Sequence, residues 1–178
     1  LIVYTEGAHS QKRSFYATNQ GLFKDGKLII LVNSSTASAS EIVSGAIQDN
    51  KRGKILGRRT FGKGLVQQPL ILPDSSELRI TTSRYYTPSG KCIQKPYGDS
   101  INYENDLFDR IESGELTNND SMLDQSKFKG GIIPDIYSPI DTVNYNDLVN
   151  KIIYTRKWRD FCFNYYEKYP NNKYSDVK

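Results

Sequence analysis

Two short stretches carry the residue types from which a reaction could be built. "GRRTFGKG", residues 57–64, places Lys63 between two glycines, and "TASASE", residues 36–41, places Ser38 among small side chains. Serine is a weak nucleophile until a base removes its proton, and a lysine can be that base only when its amine is neutral. Together the two stretches indicate either acyl transfer at Ser38 or, from the glycines around Lys63, phosphate binding.

The interpretation of residues 57–64 as a phosphate-binding loop fails on two requirements. "GRRTFGKG" comes within one residue of the pattern G-x-x-x-x-G-K-[ST], but Gly64 stands where the magnesium-binding hydroxyl belongs. Such a loop should also open a helix, whereas "LVQQPLIL" is strand-like and contains Pro69. We therefore set nucleotide binding aside, and a glycine turn with a solvated lysine remains the plain alternative.

Ser38 follows the apolar run "LIILVN" and precedes a helical pattern, the strand–turn–helix order of nucleophile-elbow hydrolases. The amide of Ala39 would then point outward with the helix dipole behind it and could stabilise an oxyanion. The alternative is a helix start that is simply rich in serine and alanine.

The base has two candidates. His9 is the one histidine and lies in a loop-like stretch, where we expect it to be exposed. Lys63 could act as base if burial favoured its neutral form. If residues 63–67 are extended, Lys63 and Gln67 share one face, and the amide of Gln67 could orient the amine.

The surrounding pattern predicts the elements that position these residues. The predicted strands are "LIVYT", "KLIILVN", "KILG", "GLVQQPLIL" and "ELRITTSRYY"; the second should be buried, and "PDSS" should join the last two. A long loop or ragged hairpin should separate the first two strands. Ser38 and Glu41 fit a capping box, which predicts a helix from Ser38, with Ile42, Val43, Ala46 and Ile47 at helical spacing, to a stop at Gly53.

The rest of the chain is less regular. Residues 97–131 should be surface loops with a short helix around 105–113, and "GIIPDIYSPID" should be extended because of its two prolines. Apolar spacing predicts a closing helix from about 146 to 166. We expect one domain over 1–178, with a catalytic core at 1–95, loops and an extended segment at 96–142, and the closing helix within 143–178.

Composition excludes several classes of protein. With 178 residues, 37% hydrophobic and 25% charged, the chain is typical of a folded globular protein. A net charge of +4 without a basic block argues against nucleic acid. Cys92 and Cys162 lack metal-site spacing; we favour free thiols, with a disulfide as the alternative. No metal is indicated, and no apolar run reaches the length of a membrane span.

The stretch from "VNSSTASASEIVSG" to "KCIQ", Val32 to Gln94, resembles without a gap the catalytic half of the C-terminal processing (tail-specific) peptidases, and "GGIIPDI" adds to the likeness. The resemblance implies a mixed α/β fold with a crotonase-like (ClpP-like) core and a Ser/Lys endopeptidase that forms an acyl-enzyme. It places the nucleophile on Ser38, the general base on Lys63, the accompanying glutamine on Gln67 and an oxyanion donor on the Ala39 amide. Asp49 also matches a family position, which we interpret as structural.

The resemblance carries further expectations for the whole protein. It implies protein or peptide substrates, no cofactor, and an upstream PDZ domain and glycine-rich oxyanion segment, so that the core here is incomplete at its N-terminal side. It favours a periplasmic or cell-envelope location and leaves a homo-oligomer open. The alternative is a non-catalytic binding or scaffolding module that keeps the peptidase fold.

Overall fold

A computed structural model of the chain describes residues 1–97, 105–117, 130–140, 155 and 157–169. Its elements, in chain order, are β1 Val3–Gly7, β2 Ser10–Phe15, β3 Ile29–Val32, α1 Ala39–Asp49, β4 Lys54–Gly57, β5 Leu65–Ile71, β6 Glu77–Tyr86, α2 Asp106–Glu112, β7 Ile136–Tyr137 and α3 Lys157–Lys168. The mixed α/β class is as predicted. The chain divides into two compact units, Leu1–Ile140 and Asp141–Lys178; one domain over 1–178 stays a prediction.

Four strands form an antiparallel sheet in the order β2-β1-β6-β5. The polar stretch after β1 returns as a hairpin, with an irregular register between Thr5 and Gly7. β5 and β6 form a second hairpin, in which the amide of Leu72 donates to the carbonyl of Ser76 across the turn. β1, β5, β6 and the turn between the last two lie where the sequence predicts them, and β2 selects the ragged hairpin over the long loop as the structure of the stretch after β1.

Three strands form a parallel sheet in the order β3-β4-β7. β3 lies at its edge, and Ile29 and Leu31 are 57% and 74% exposed. The prediction that this apolar strand is buried is therefore wrong for the face that carries Ile29 and Leu31, whereas Val32 on the opposite face is 6% exposed. Alternate side chains of a strand point to opposite faces, and a face is buried only where another element covers it.

Helix α1 connects β3 to β4 and packs against β4. It begins where the capping box predicts, with Ser38 as N-cap, but it ends at Asp49 rather than continuing to Gly53. Lys51 adopts a positive φ of 54°, which breaks the helical backbone earlier. The buried face is Glu41, Ser44, Gly45 and Ala46, so Val43, predicted to share the apolar face, is exposed instead.

The core of the first unit contains side chains from both sheets, from α1 and from the segments that follow β6. Its buried apolar side chains are Val3, Val32, Ala46, Ile55, Ile93, Leu116 and Ile132. α2 falls within the predicted short helix, flanked by Asn105 and Ser113 as caps. Of the predicted extended segment, residues 131–141, Ile136–Tyr137 form strand β7, whereas Gly131 has a positive φ of 72° and residues 131 and 135 form bends. Residues 98–104, 118–129 and 141–142 of the predicted loop and extended segments lie outside the described residues.

The second unit is described mainly through α3. Its helical conformation confirms the later part of the predicted helix, whereas residues 146–154 and 156 lie outside the described residues. Phe161, Tyr165 and Tyr169 follow one another along this helix with ring centroids 6.0 and 4.9 Å apart. Every described side chain of α3 is exposed. Among the residues described, no helix is long and apolar enough to cross a bilayer.

Candidate functional site

Ser38 and Lys63 both follow strands of the parallel sheet. Ser38 lies beyond the carboxyl end of β3, and Lys63 lies beyond the carboxyl end of β4. Because β3 and β4 pair in parallel, these two ends meet at the same edge of the sheet. The edge where parallel strands end is the usual place for a site in an open α/β sheet. The topology therefore directs the two predicted residues to one edge.

The turn before α1 leaves Ser38 in a strained conformation. The side-chain oxygen of Asn33 accepts hydrogen bonds from the amides of Ser35 and Thr36, at 2.9 and 3.1 Å, and so shapes the turn. Ser38 then has φ 59° and ψ −124°, and its side chain is exposed. Such backbone strain costs about 1–3 kcal/mol at a non-glycine residue and is concentrated at functional sites. A strained, exposed serine between a strand and a helix matches the elbow arrangement.

The carboxylate of Glu41 connects the turn that contains Ser38, residues 33–38, to the lysine loop, residues 58–64 between β4 and β5. One oxygen, Oε2, accepts the backbone amide of Ser38 at 2.9 Å and the backbone amide of Lys63 at 2.8 Å. The other, Oε1, accepts the amide of Gly62 at 2.7 Å and a short hydrogen bond from the hydroxyl of Thr60. Glu41 is fully buried. Four donors to one rigid group fix the two backbones relative to each other.

The lysine loop is also held from its other side. Gly62 has φ +88°, and a Cβ there would lie 2.9 Å from Cβ of Lys95, so glycine meets both a conformational and a packing requirement. The carbonyl of Gly62 accepts the amide of Lys95 at 2.9 Å. The amide of Gly64 donates to Oε1 of Gln94 at 2.9 Å. The loop is therefore clamped between α1 and residues 94–95.

These hydrogen bonds also bear on the phosphate alternative. The amides of Gly62, Lys63 and Gly64, which would face a phosphate, all donate to side chains of Glu41 and Gln94. The loop then enters β5 rather than a helix. A phosphate would need to displace a buried carboxylate of its own charge sign. The geometry therefore argues against a phosphate-binding site at this loop.

The predicted partners of Ser38 occupy different positions around this frame. Ala39 is exposed at the first position of α1, where helix amides lack intrahelical acceptors. Gln67 is exposed in β5, and among the described residues no hydrogen bond joins its side chain to Lys63. Lys63 is also exposed, so the burial that we expected for a lysine base is not supplied by the described residues. The reason is local: Gly62 and Gly64 are buried, and the side chain between them faces outward.

Asp49 has a structural environment. It is the last residue of α1, and its Oδ2 accepts the amide of Ser89 at 2.9 Å. Partial burial raises the pKa of the Asp49 carboxyl, but hydrogen bonds from Thr87 and Ser89, with the charge of Lys91, outweigh burial and leave the pKa below its usual value. Asp49 thereby ties α1 to the segment after β6.

The remaining candidates from the sequence lie apart from this frame. His9 is exposed, as expected. Cys92 is half-buried and Cys162 is exposed, and both are free thiols. Among the described residues, no group of three or more His, Cys, Asp or Glu side chains could hold a metal ion.

Sequence reasoning assigned Glu41 a helix cap and did not foresee its contacts with the lysine loop. Its second role depends on Thr60, Gly62 and Lys63, which lie 19 to 22 residues further along the chain. Gln94 was missed for a similar reason, since its acceptor role spans 30 residues. The available signal was an acidic residue predicted to sit at a helix start beside an apolar core.

Comparison with known proteins gives consistent matches. The model of peptidase family S41 matches residues 1–102. A carboxyl-terminal-processing protease of Picosynechococcus sp. is 46% identical over 94 residues, which cover 53% of this chain and 22% of the relative. A probable CtpA-like serine protease of Staphylococcus haemolyticus is 44% identical over 88 residues, covering 49% and 17%.

A solved structure, the photosystem II D1 C-terminal processing protease, superposes with a TM-score of 0.55 at 32% identity and covers 78% of this chain and 27% of that one. The curated relatives are much longer than the matched stretch, which spans about a fifth of their length.

Proposed function

Because the chain belongs to peptidase family S41, we propose that it carries the nucleophile and the base of a serine endopeptidase of the C-terminal processing type. Ser38 would attack the peptide carbonyl, Lys63 would accept its proton, and the amide of Ala39 would bind the oxyanion. Gln67 would orient the lysine amine. The substrates would be proteins or peptides, and the reaction needs no cofactor.

The supporting observation is the shared acceptor at Glu41. Oε2 of Glu41 accepts hydrogen bonds from the backbone amides of both Ser38 and Lys63, so the backbones of these two residues lie close together. Both side chains are exposed there and accessible to a substrate chain. A fixed backbone restricts where the two side chains can lie, and positioning of reacting groups contributes to the rate enhancement of an enzyme.

The reaction follows in two halves. Lys63 Nζ, when its amine is unprotonated, takes the proton of Ser38 Oγ as that oxygen bonds to the carbonyl carbon, and the carbonyl oxygen becomes an oxyanion. The C–N bond then breaks, and the leaving amine takes the proton from Lys63, which leaves an acyl-enzyme. Water next gives a proton to Lys63 and attacks the ester, and Ser38 Oγ recovers the proton as the new carboxyl end departs.

The test uses the intact protein with a fluorogenic peptide, an unfolded protein and a fluorophosphonate probe. Ser38→Ala should lower turnover by about 10³-fold or more and abolish labelling, while the protein keeps its fold, because only an exposed hydroxyl is lost and an N-cap serine contributes about 0.5–2 kcal/mol of stability. Ser40→Ala, the same change two residues along the exposed start of α1, is the matched control and should keep both activities.

Labelling and cleavage that persist in Ser38→Ala would disprove the assignment. If the wild-type protein binds the unfolded protein but neither cleaves it nor reacts with the probe, a binding or scaffolding role replaces the enzymatic one.

A further inference from the structure

A second buried cluster lies under the lysine loop and uses residues from α2 and the turn after it. Arg59, Arg110 and Glu115 are only 5%, 3% and 5% exposed. Glu115 Oε1 accepts Nε of Arg59 at 2.8 Å and Nε of Arg110 at 2.9 Å, and Glu115 Oε2 accepts Nη2 of Arg59 at 2.9 Å. One carboxylate thus joins two guanidinium groups away from water.

Arg110 extends this cluster to the backbone of the lysine loop. Its Nη2 donates to the carbonyl of Arg59 at 2.6 Å, and its Nη1 donates to the carbonyl of Thr60 at 3.4 Å. Thr60 is the residue whose hydroxyl bonds Glu41, and Lys63 follows three residues later. The planar fork of a guanidinium directs five N–H donors outward and can hold two carbonyls and a carboxylate at once, whereas an ammonium has three donors on a single nitrogen.

A third contact covers the residue between Thr60 and Gly62. The ammonium of Lys95 lies 4.1 Å from the ring centroid of Phe61 and donates to Oδ2 of Asp106 in α2 at 3.0 Å. Lys95 is 3% exposed. α2 therefore contributes to the support of the loop at two points, through Arg110 and through Asp106.

The electrostatics require that this cluster stay intact. Burial lowers the pKa of Arg110, and the neighbouring charge of Arg59 lowers it further, whereas Glu115 and Asp106 act in the opposite direction. Two buried cations share one buried anion, so loss of Glu115 removes the carboxylate that both guanidinium groups share, a strongly unfavourable state, whereas loss of Arg110 leaves the Arg59–Glu115 pair in place. The cluster is consequently a rigid support rather than an adjustable surface pair.

We infer that Arg110 is a positioning residue for Lys63. Its guanidinium, oriented by Glu115, holds the carbonyls of Arg59 and Thr60 and thereby fixes the position of the Thr60–Lys63 segment relative to Glu41. Arg110 lies beyond the part of the chain that the S41 family model matches, which ends at residue 102. The role rests on the proposed function for its catalytic consequence, but the hold on the loop is a property of the fold.

The test compares Arg110→Met and Arg110→Lys in the intact protein with Arg79→Met as the matched control. Arg79 is also paired with a glutamate, Glu77, but the pair is exposed on β6. Arg110→Met should lower kcat at least about tenfold with KM changed less than about threefold, because a displacement near 1 Å can cost about 10²-fold in rate. Arg110→Lys should recover part of the loss, and Arg79→Met should match the wild type.

Hydrogen exchange provides a second readout that does not depend on activity. In Arg110→Met, the amides of Gly62 and Lys63 should exchange at least about tenfold faster, while the Ile55 amide, bonded to Asp135, keeps its protection. If the Met variant does not fold, the Lys variant decides by the same comparison, with a threefold loss of kcat or of protection as its threshold. Wild-type kcat and exchange in the folded variants would overturn the inference.

The two proposals fail in different ways. If the wild-type protein shows no Ser38-dependent turnover, the peptidase proposal fails, and the exchange of Gly62 and Lys63 still decides whether Arg110 holds the loop. If turnover depends on Ser38 but neither kcat nor exchange responds to Arg110, the peptidase proposal stands and the positioning role is wrong.

Discussion

At the scale of single residues, the geometry of the proposed site depends most directly on the carboxylate of Glu41. It accepts four hydrogen bonds and is fully buried, so no water can replace a lost acceptor. A buried donor left without a partner costs about 1–3 kcal/mol, more than an average hydrogen bond contributes. Glu41 is therefore both a structural and a positioning group.

Glu41→Gln tests this dependence with almost no change of shape. The new NH₂ group must face two of the four donors, so the free energy of unfolding should fall by about 1–3 kcal/mol for each donor left unpaired, and Ser38 labelling should slow. Glu77→Gln, an exposed glutamate in β6, is the matched control. Chemical denaturation and probe kinetics measure the two effects, and a variant equal to the control in both would contradict the central role of Glu41.

Lys63→Arg separates a proton acceptor from a fixed positive charge. A guanidinium stays protonated, so Lys63→Arg should lose at least about 10²-fold in turnover, nearly as much as Lys63→Ala. Lys24→Arg, at an exposed loop position, is the control. Substantial turnover in Lys63→Arg would mean that Lys63 acts through its charge, and the base would have to be sought elsewhere.

Ser38 and Lys63 could be singled out from their local context, small residues before a helix and glycines on both sides of a lysine, but their roles come from the family resemblance and stay a prediction. The exposure of Lys63 could not be predicted from that context, since glycines allow a side chain to face inward or outward. Arg59, Arg110 and Glu115 gave no local signal at all. Arg59 and Glu115 are 56 residues apart, and a pairing at that distance is set only by the fold.

At the scale of elements, the strand–helix–strand unit of β3, α1 and β4 carries both parts of the proposed site. β6 could be predicted over its full length because its β-branched and aromatic residues lie between turn residues. The burial of β3 could not, because burial depends on which neighbours cover a strand. The end of α1 was missed because Lys51, an ordinary helix former, adopts a positive φ.

The junction at the end of α1 should make stability depend on pH in the acidic range. The folded pKa of Asp49 lies below its unfolded value of about 3.8. Its charged form therefore contributes stability that is fully present well above that value. This contribution is lost as the pH falls through the lower folded pKa, because protonation removes the acceptor for Ser89 and Thr87.

The difference in unfolding free energy between the wild type and Asp49→Asn should accordingly be largest near neutral pH and shrink below pH 3.8. Denaturation series at several pH values measure it, with Asp25→Asn, at an exposed loop position, as the control. A difference that is constant across the acidic range would show that the charge of Asp49 contributes nothing at this junction.

At the scale of the whole molecule, the contacts described above for the proposed site belong to the first compact unit. Glu41, Gln94, Arg110 and Glu115 belong to Leu1–Ile140, as do their partners named above. The segment 130–140 is part of that support: the amide of Ile132 donates to the hydroxyl of Thr60 at 2.7 Å, and Asp135 accepts the amide of Ile55.

Truncation after Thr117 should leave the amides of Gly62, Lys63 and Gly64 less protected from hydrogen exchange than truncation after Ile140, because only the shorter chain lacks Ile132 and Asp135. Its melting temperature should also be lower by several degrees or more. Equal protection in the two truncated proteins would show that the segment 130–140 does not support the site.

The double attachment of Glu41 also restricts how the chain can change in length. Glu41 is fixed in the first turn of α1, and Thr60 is fixed against it, so the residues between them must span a constant path. Helix α1 and strand β4 cannot gain or lose a residue without rotating or reversing their buried faces. The turn at 50–53 is tightly packed and should not accept an added residue, because even a Cβ at Gly53 would lie 2.7 Å from the carbonyl oxygen of Leu28. Insertions and deletions among related sequences should thus fall at the exposed tip of the β5–β6 hairpin and be absent between Glu41 and Thr60, which a survey of those sequences would check.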